Sequence, residues 1–321
     1  MASRWVLNRV DRSSTGFTWS AVAVTAVVAL SGCATPTGAV PPRDDLSAER
    51  SIIEHTATAP DVSAIERAVS TAEQAAAQTT DLGVAVLDRV SGRVAVGAAG
   101  DEPFYTASLA KLVVVLDILD RRRVEGLAVS EADVELIRRA LGPSDDDAMN
   151  ILWTRFDGAG AAARVSARAG LAATTGPEDP SQWGQMSAPA SDIVQLFDYV
   201  LGQMPAADRD LFVESLAAAP AIAADGFDQA FGLLAPSVNG PGVAAKQGWM
   251  CCFSDRYYLH SAGVVDAQQR YVVALLGRIP RAPGWDQARV ELTAVADATL
   301  QILTSPAGSP TTTDVVSPPP S

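Results

Sequence analysis

The arrangement of strand and helix signals constrains this chain most. Two short Val-rich runs around Ser91-Gly92, in LGVAVLDRVSGRVAVGAAG (82–100), read as a β-hairpin. A second strand pair, at 256–265 and 271–278, comes only near the end. Helical spacing opens the folded region at 62–78, recurs at 108–121, 130–140, 145–156, 158–169 and 190–202, and closes it at 285–303. A hairpin, a run of helices, a late strand pair and a last helix describe an α+β domain. The early hairpin can rejoin the late strands in one antiparallel sheet, with helices on both faces.

One of those helices carries an oddity. FYTASLAKLVVVLDILD (104–120) sets a lysine into the first turn of a segment apolar enough to be buried. Of the 24 basic residues, only Lys111 and Lys246 are lysine; the others are arginine. Ser108 and Lys111 stand three apart and so share one face at the helix start. Ser108 suits an N-cap, but the usual residue three positions on is Glu or Gln, and a lysine there opposes the helix dipole. A desolvated ammonium gives up its proton more readily and can serve as base to a serine hydroxyl. Arginine could not, because it stays protonated.

Other chemistries fit poorly. The two histidines are His55, in a Pro/Thr/Ala-rich stretch, and His260, inside the apolar run RYYLHSAGVV; neither position suits a Ser-His-Asp triad. A zinc site needs three or four His, Cys or carboxylate ligands, which are not readily assembled here. Phosphate-binding glycine loops are missing, so neither metal nor cofactor is expected. A formal charge of −13 argues against a nucleic-acid partner.

Two further stretches, GPSDDDAMNILW (142–153) and AAKQGWM (244–250), follow Ser108-Leu109-Ala110-Lys111 in order. Together the three resemble the S-x-x-K, S-D-N and K-T-G set of serine β-lactamases and penicillin-binding proteins. The resemblance covers roughly residues 60–304 and is nearest to the small serine-hydrolase lipoproteins of that superfamily. It implies a β-lactamase/transpeptidase-like fold: an antiparallel sheet of N-terminal hairpin plus late strands, flanked by helices, with an all-α subdomain. It further implies Ser108 as the acylated nucleophile, Lys111 as its base, Ser144 as proton relay and Lys246 as a source of positive potential. The oxyanion hole would be the N–H groups of Ser108 and of Trp249, one residue after Gly248.

The pattern departs from the family at three places. Asp146 replaces an Asn, turning an amide donor into an anionic acceptor able to meet a substrate amine. Gln247 replaces the Thr or Ser that helps to hold a substrate carboxylate, and its amide can donate from a longer arm. Arg256 either supplies carboxylate affinity or is a surface arginine. Glu178 is the one glutamate in the loop before GQMSAPASDIV (184–194), and it reads as a solvated carboxylate, leaving no base for deacylation. The resemblance thus implies a serine acyl-hydrolase or transpeptidase-like protein, poor at deacylation, whose partner is a cell-wall peptide or β-lactam-like substrate. The alternative is a catalytically weak descendant that binds cell-wall peptides or a partner protein.

The N-terminal segment sets the expected location. A basic start through Arg12 and the apolar FTWSAVAVTAVVAL (17–30) look like a signal peptide, too short for a bilayer span. Leu30-Ser31-Gly32-Cys33 resembles a bacterial lipoprotein signal, so Cys33 is the expected lipid-bearing residue, on the outer face of the cytoplasmic membrane. Residues 34–59 read as a tether and 305–321 as a Pro/Ser/Thr tail without a core. Adjacent Cys251 and Cys252 read as two buried small apolar residues, with a vicinal disulfide as the alternative.

Overall fold

In the computed structural model, which describes residues 63–282 and 284–304, the early and late strands share one sheet. The signal region with Cys33, the tether with His55 and the tail lie outside the described residues. In chain order the elements are α1 (Ala64–Ala75), β1 (Asp81–Asp88), β2 (Arg93–Val96), β3 (Phe104–Tyr105), α2 (Ala110–Glu125), α3 (Glu131–Leu141), α4 (Asp146–Arg155) and α5 (Ala161–Ala169). There follow β4 (Ser187–Ala188), α6 (Ala190–Gln203), α7 (Ala206–Ala217), β5 (Val243–Cys251), β6 (Arg256–Val265), β7 (Tyr271–Pro280) and α8 (Trp285–Thr304). The main sheet runs β2-β1-β7-β6-β5 and is antiparallel throughout. Its closure rests on β1 lying along β7, from Asp81 opposite Arg278 to Asp88 opposite Tyr271.

Both faces of this sheet are covered, which is why its strands read as nearly continuous apolar runs. Alternate residues point to opposite faces. Val84, Val86, Val273 and Leu275 pack with α1 and α8, through residues such as Ile65, Val69, Leu292 and Val295. Ala85, Leu87, Ala274 and Leu276 pack on the other face with residues from α2 to α7. The helical ends follow ordinary capping rules. Ser63 with Glu66 and Ser130 with Asp133 form reciprocal capping boxes on α1 and α3. Gly126 ends α2 in the left-handed conformation at φ 69°.

Two local readings need correction. Ser108 is not the N-cap of the long helix: it lies inside a one-turn 3-10 segment, Ala107–Leu109, and α2 begins behind it at Ala110. The helix α7 has no counterpart in the sequence reading, because the charges of DRD (208–210) dilute its apolar period to Phe212 and Leu216.

Candidate active site

The site is built where three elements converge on the start of α2. The nucleophile turn is one, the turn between α3 and α4 is the second, and edge strand β5 is the third. Ala107 and Ser144 both hold positive φ, at 47° and 57°. For non-glycine residues that conformation costs of order 1–3 kcal/mol each and persists where surrounding structure enforces it. Ser144 gets its support from the residue after it. Asp145 caps α4 by accepting from Asp147 N (2.9 Å) and Ala148 N (3.2 Å), while Arg139 Nε donates to its carboxylate at 2.9 Å. β5 approaches from the other side. A Cβ on Gly248 would lie 3.4 Å from Ser108 N and 3.0 Å from Thr106 O, so a side chain there would press the strand edge and the turn apart by a few tenths of an ångström.

These supports bring the four expected catalytic side chains together. Lys111 Nζ lies 3.0 Å from Ser108 Oγ, 3.1 Å from Ser144 Oγ, 2.8 Å from Ser144 O and 2.7 Å from Asp146 Oδ1. Lys246 Nζ lies 2.8 Å from the same Ser144 Oγ and donates to Gln247 O at 2.9 Å. Ser144 Oγ therefore sits between two amines. Four oxygens around Lys111 exceed the three hydrogens of an ammonium, and the Ser108 and Ser144 hydroxyls are the partners that can donate back when the amine is neutral.

Burial gives the amines their chemistry. Lys111 is 0% and Lys246 1% exposed. Burial pushes the Lys111 amine below the ordinary lysine range, against the upward pull of Asp146, Asp225 and Asp145. Burial, joined by repulsion from Lys111, pushes Lys246 well below it, against Asp146 and Asp225. The arrangement can take a proton from Ser108 and pass it along Lys111, Ser144 and Lys246. His260 has no share in this. Burial pushes its imidazole down to about 4, and its neutral Nε2–H donates to Tyr105 O at 2.8 Å.

The substrate-side expectations fare differently. Asp146 is at the site, but its Oδ1 is engaged by Lys111, so it acts on the base as well as facing outward with a half-exposed side chain. Gln247 is turned away: it is fully buried, and its Nε2 donates to the backbone carbonyls of Phe231 and Gln229. A strand alternates its faces, so with Lys246 directed at Ser144 its neighbour goes to the opposite side. Arg256 is also elsewhere. It starts β6 opposite Pro280, and its guanidinium donates to Thr79 O and Arg278 O. Glu178 is exposed, in keeping with a solvated loop carboxylate. Cys251 and Cys252 are not buried apolar residues: Cys251 is half-buried, Cys252 is exposed, and the two are joined as a vicinal disulfide where β5 ends.

Two residues at the site had no sequence signal. Trp183 is nearly buried with its ring 5.0 Å from Lys111 Nζ, and its Nε1 donates to Asn150 Oδ1 at 2.9 Å. Asp225 is exposed in the loop before β5 and accepts from Trp249 Nε1 at 3.1 Å. A lone indole in a loop and an Asp before Gly both read as ordinary loop chemistry until the fold brings them to the lysines.

The fold is that of serine β-lactamases and penicillin-binding proteins. The TLA-1 extended-spectrum β-lactamase superposes with a TM-score of 0.64 at 12% identity, over 76% of this chain and 100% of that one. PBP-A does so at 0.59 and 17%, over 73% and 96%. A β-lactamase from Chitinophaga pinensis gives 0.60 and 12%, over 75% and 97%. In sequence, the chain is similar to the protein named "Putative lipoprotein LppW" in Mycobacterium tuberculosis and in Mycobacterium bovis, at 32% identity over 206 residues. That match spans 63% of this chain and 65% of LppW. No family model matches the chain.

Proposed function

We propose that the chain is a membrane-tethered serine acyl-hydrolase or transpeptidase-like protein that acts on cell-wall peptides or a related amide. The observation that carries this is the buried contact of Lys111 Nζ with Ser108 Oγ at 3.0 Å, backed by Ser144 and Lys246. In the proposed acylation, Ser108 Oγ attacks the substrate carbonyl as its proton passes to the neutral Lys111 amine. The Oγ–C bond forms, the bond to the leaving group breaks, and Ser144 delivers the proton to that group. Backbone N–H groups of Ser108 and Trp249 receive the negative charge on the carbonyl oxygen; such donors contribute several kcal/mol when preorganised.

Deacylation is proposed to be slow. Trp183 covers the Lys111 amine, and the carboxylate nearest to that amine, Asp146, is already bonded to it. Glu178, the glutamate that the preceding loop offers, is exposed to solvent. The acyl-enzyme then persists, and the protein binds penicillin rather than destroying it. Cys33, where the sequence resembles a lipoprotein signal, is proposed to hold the lipid anchor, in line with the name of the LppW relatives. Cys33→Ala should then move the protein from the membrane fraction to the soluble one.

A fluorescent β-lactam followed by intact-protein mass spectrometry tests the main proposal. A stable adduct on Ser108, absent in Ser108→Ala, is expected; no adduct after prolonged exposure overturns it for β-lactams. One observation favours the second reading, a catalytically weak binder of cell-wall material. Asp146 at 2.7 Å from Lys111 favours the ammonium form, which is no base. On that reading Ser108→Ala leaves the cellular role intact, and loss of the role disposes of it.

A further inference from the structure

The charges at the mouth of the site bear on which substrates it admits. Its cations are hidden and its anions are presented. Lys111 and Lys246 are sealed in, whereas the Asp146 side chain is 51% exposed and Asp225 and Asp147 are exposed. Both amines are also already engaged within the site. Lys111 contacts Ser144 O and Asp146, and Lys246 contacts Ser144 Oγ and Gln247 O. Of the charged groups that act on Lys246, one is a cation, Lys111, and two are carboxylates, Asp146 and Asp225. With both amines charged, these four groups sum to neutrality, and loss of one proton leaves the site negative.

The side chains that could have held a substrate carboxylate are committed elsewhere. Gln247 gives its amide hydrogens to backbone carbonyls on the far face of β5, and Arg256 gives its guanidinium to Thr79 O and Arg278 O. Arg289, 5.8 Å from the Phe227 ring, is paired with Asp228 and Asp286.

In place of a carboxylate pocket there is an aromatic face with a carboxylate at its edge. Trp249 follows Gly248, the residue that abuts Ser108 N, and its half-buried indole stacks on Phe227 at 4.7 Å and 10°. Its ring lies 5.7 Å from Lys246 Nζ, which ties it to the catalytic amines. Its Nε1 donates to Asp225 Oδ2 at 3.1 Å, while Phe227 N donates to Asp225 Oδ1 at 2.9 Å. Those two bonds fix the Asp225 carboxylate and leave each oxygen a free lone pair. The ring is already stacked on Phe227 and approached by Lys246 Nζ, so an incoming ammonium group is met by the Asp225 carboxylate at the indole's edge.

Resting on the Ser108 nucleophile reading, we propose that the site prefers acyl donors with an ammonium group near the scissile bond, held by Asp225 beside Trp249, over donors with a carboxylate there, which acylate only slowly. The selection is electrostatic, and so it weakens as salt screens the exposed Asp225.

Two thioesters with the same N-acetylalanyl group test this: one with thiocholine as leaving group, whose quaternary ammonium cannot take up the acyl group, and one with mercaptoacetate. The rate of Ser108 acylation is followed by intact mass on the folded protein, and each rate is divided by that ester's own rate of hydroxide hydrolysis to remove the leaving-group difference. The ammonium thioester is expected to acylate at least about tenfold faster, as opposite charges at close range near a protein surface allow. Asp225→Asn should shrink that ratio toward one, whereas Asp225→Glu should preserve it. Equal rates, or a faster mercaptoacetate ester, overturn the proposal. If neither thioester acylates, the same pair is titrated onto Ser108→Ala by calorimetry, where tighter binding of the ammonium compound sustains the selectivity and equal or reversed binding overturns it. Failure of the nucleophile reading shows separately, as loss of fluorophosphonate labelling.

Discussion

Helix α2 buries charge at both of its ends, and the two ends treat it differently. Toward the C-terminal end Asp117 is 1% exposed, and it accepts from Arg164 Nε at 2.8 Å and Nη2 at 2.7 Å, with Arg121 Nη1 at 3.5 Å. One turn on, Asp120 accepts from Arg123 Nε at 3.1 Å and from the Tyr199 hydroxyl at 3.0 Å, with Arg168 at 3.2 Å. These carboxylates are clasped by planar guanidinium groups, and Asp117 in turn raises the Arg164 pKa above its ordinary range. At the N-terminal end Lys111 has a single carboxylate partner, Asp146, itself half in solvent. Burial then outweighs the pairing, and the amine is pushed toward its neutral form. Carboxylates held by several guanidinium groups make an inert structural clasp; an amine with one half-exposed carboxylate partner makes a base.

The comparison is broken most sharply by swapping charge for packing at each end. Lys111→Met should lower the rate of Ser108 acylation by about 10²–10⁴-fold, the usual worth of a positioned base, while thermal stability holds or rises because a desolvated amine gives way to an apolar chain of similar length. Asp117→Ala should do the reverse, costing about 1–3 kcal/mol, because Arg164 and Arg121 lose the buried carboxylate they share while keeping Asp157 and Glu125. Thermal unfolding and acylation kinetics on both variants check the pair. If Asp117→Ala unfolds like the parent, the clasp is not what holds that end.

His260 gives a third test, in pH. Its pKa is pushed from 6.5 to about 4 in the fold, so the unfolded chain binds the extra proton between those values. Stability from this group is complete above about pH 6.5 and is lost as pH falls toward 4, by about 3 kcal/mol at 1.36 kcal/mol per unit. Replacing His260 by Gln should flatten the fall in melting temperature across that window, and an unchanged slope would contradict the assignment. The smallest effect belongs to the cap of α3, where Ser130→Ala should cost about 1 kcal/mol by denaturation and leave acylation unchanged.

Sequence and structure agree where a local pattern is tied to one outcome. The strand runs were legible because both sheet faces are buried, and the Ser108, Lys111, Ser144 and Lys246 set because each stands in a short motif of fixed spacing. What escaped is what only the third dimension decides. Gln247 occupies a motif position, yet strand alternation and a loop carbonyl at Phe231 draw it into the core. Arg256 is close to Lys246 in the chain but lies toward the other end of its strand pair. Asp146 looked like a substrate contact because nothing in the sequence shows that Lys111 reaches it. Trp183 and Asp225 come from loops whose course is set by packing.

The account rests on Lys111 being a buried amine that activates Ser108, and one measurement addresses this directly. The rate at which an uncharged fluorophosphonate labels Ser108 can be followed by intact mass from pH 6 to pH 10. The account predicts labelling that rises with pH, with a half-point below the ordinary lysine value of about 10.4, and that is lost in Lys111→Met. Labelling that is absent, or that proceeds equally without the Lys111 amine, would contradict it.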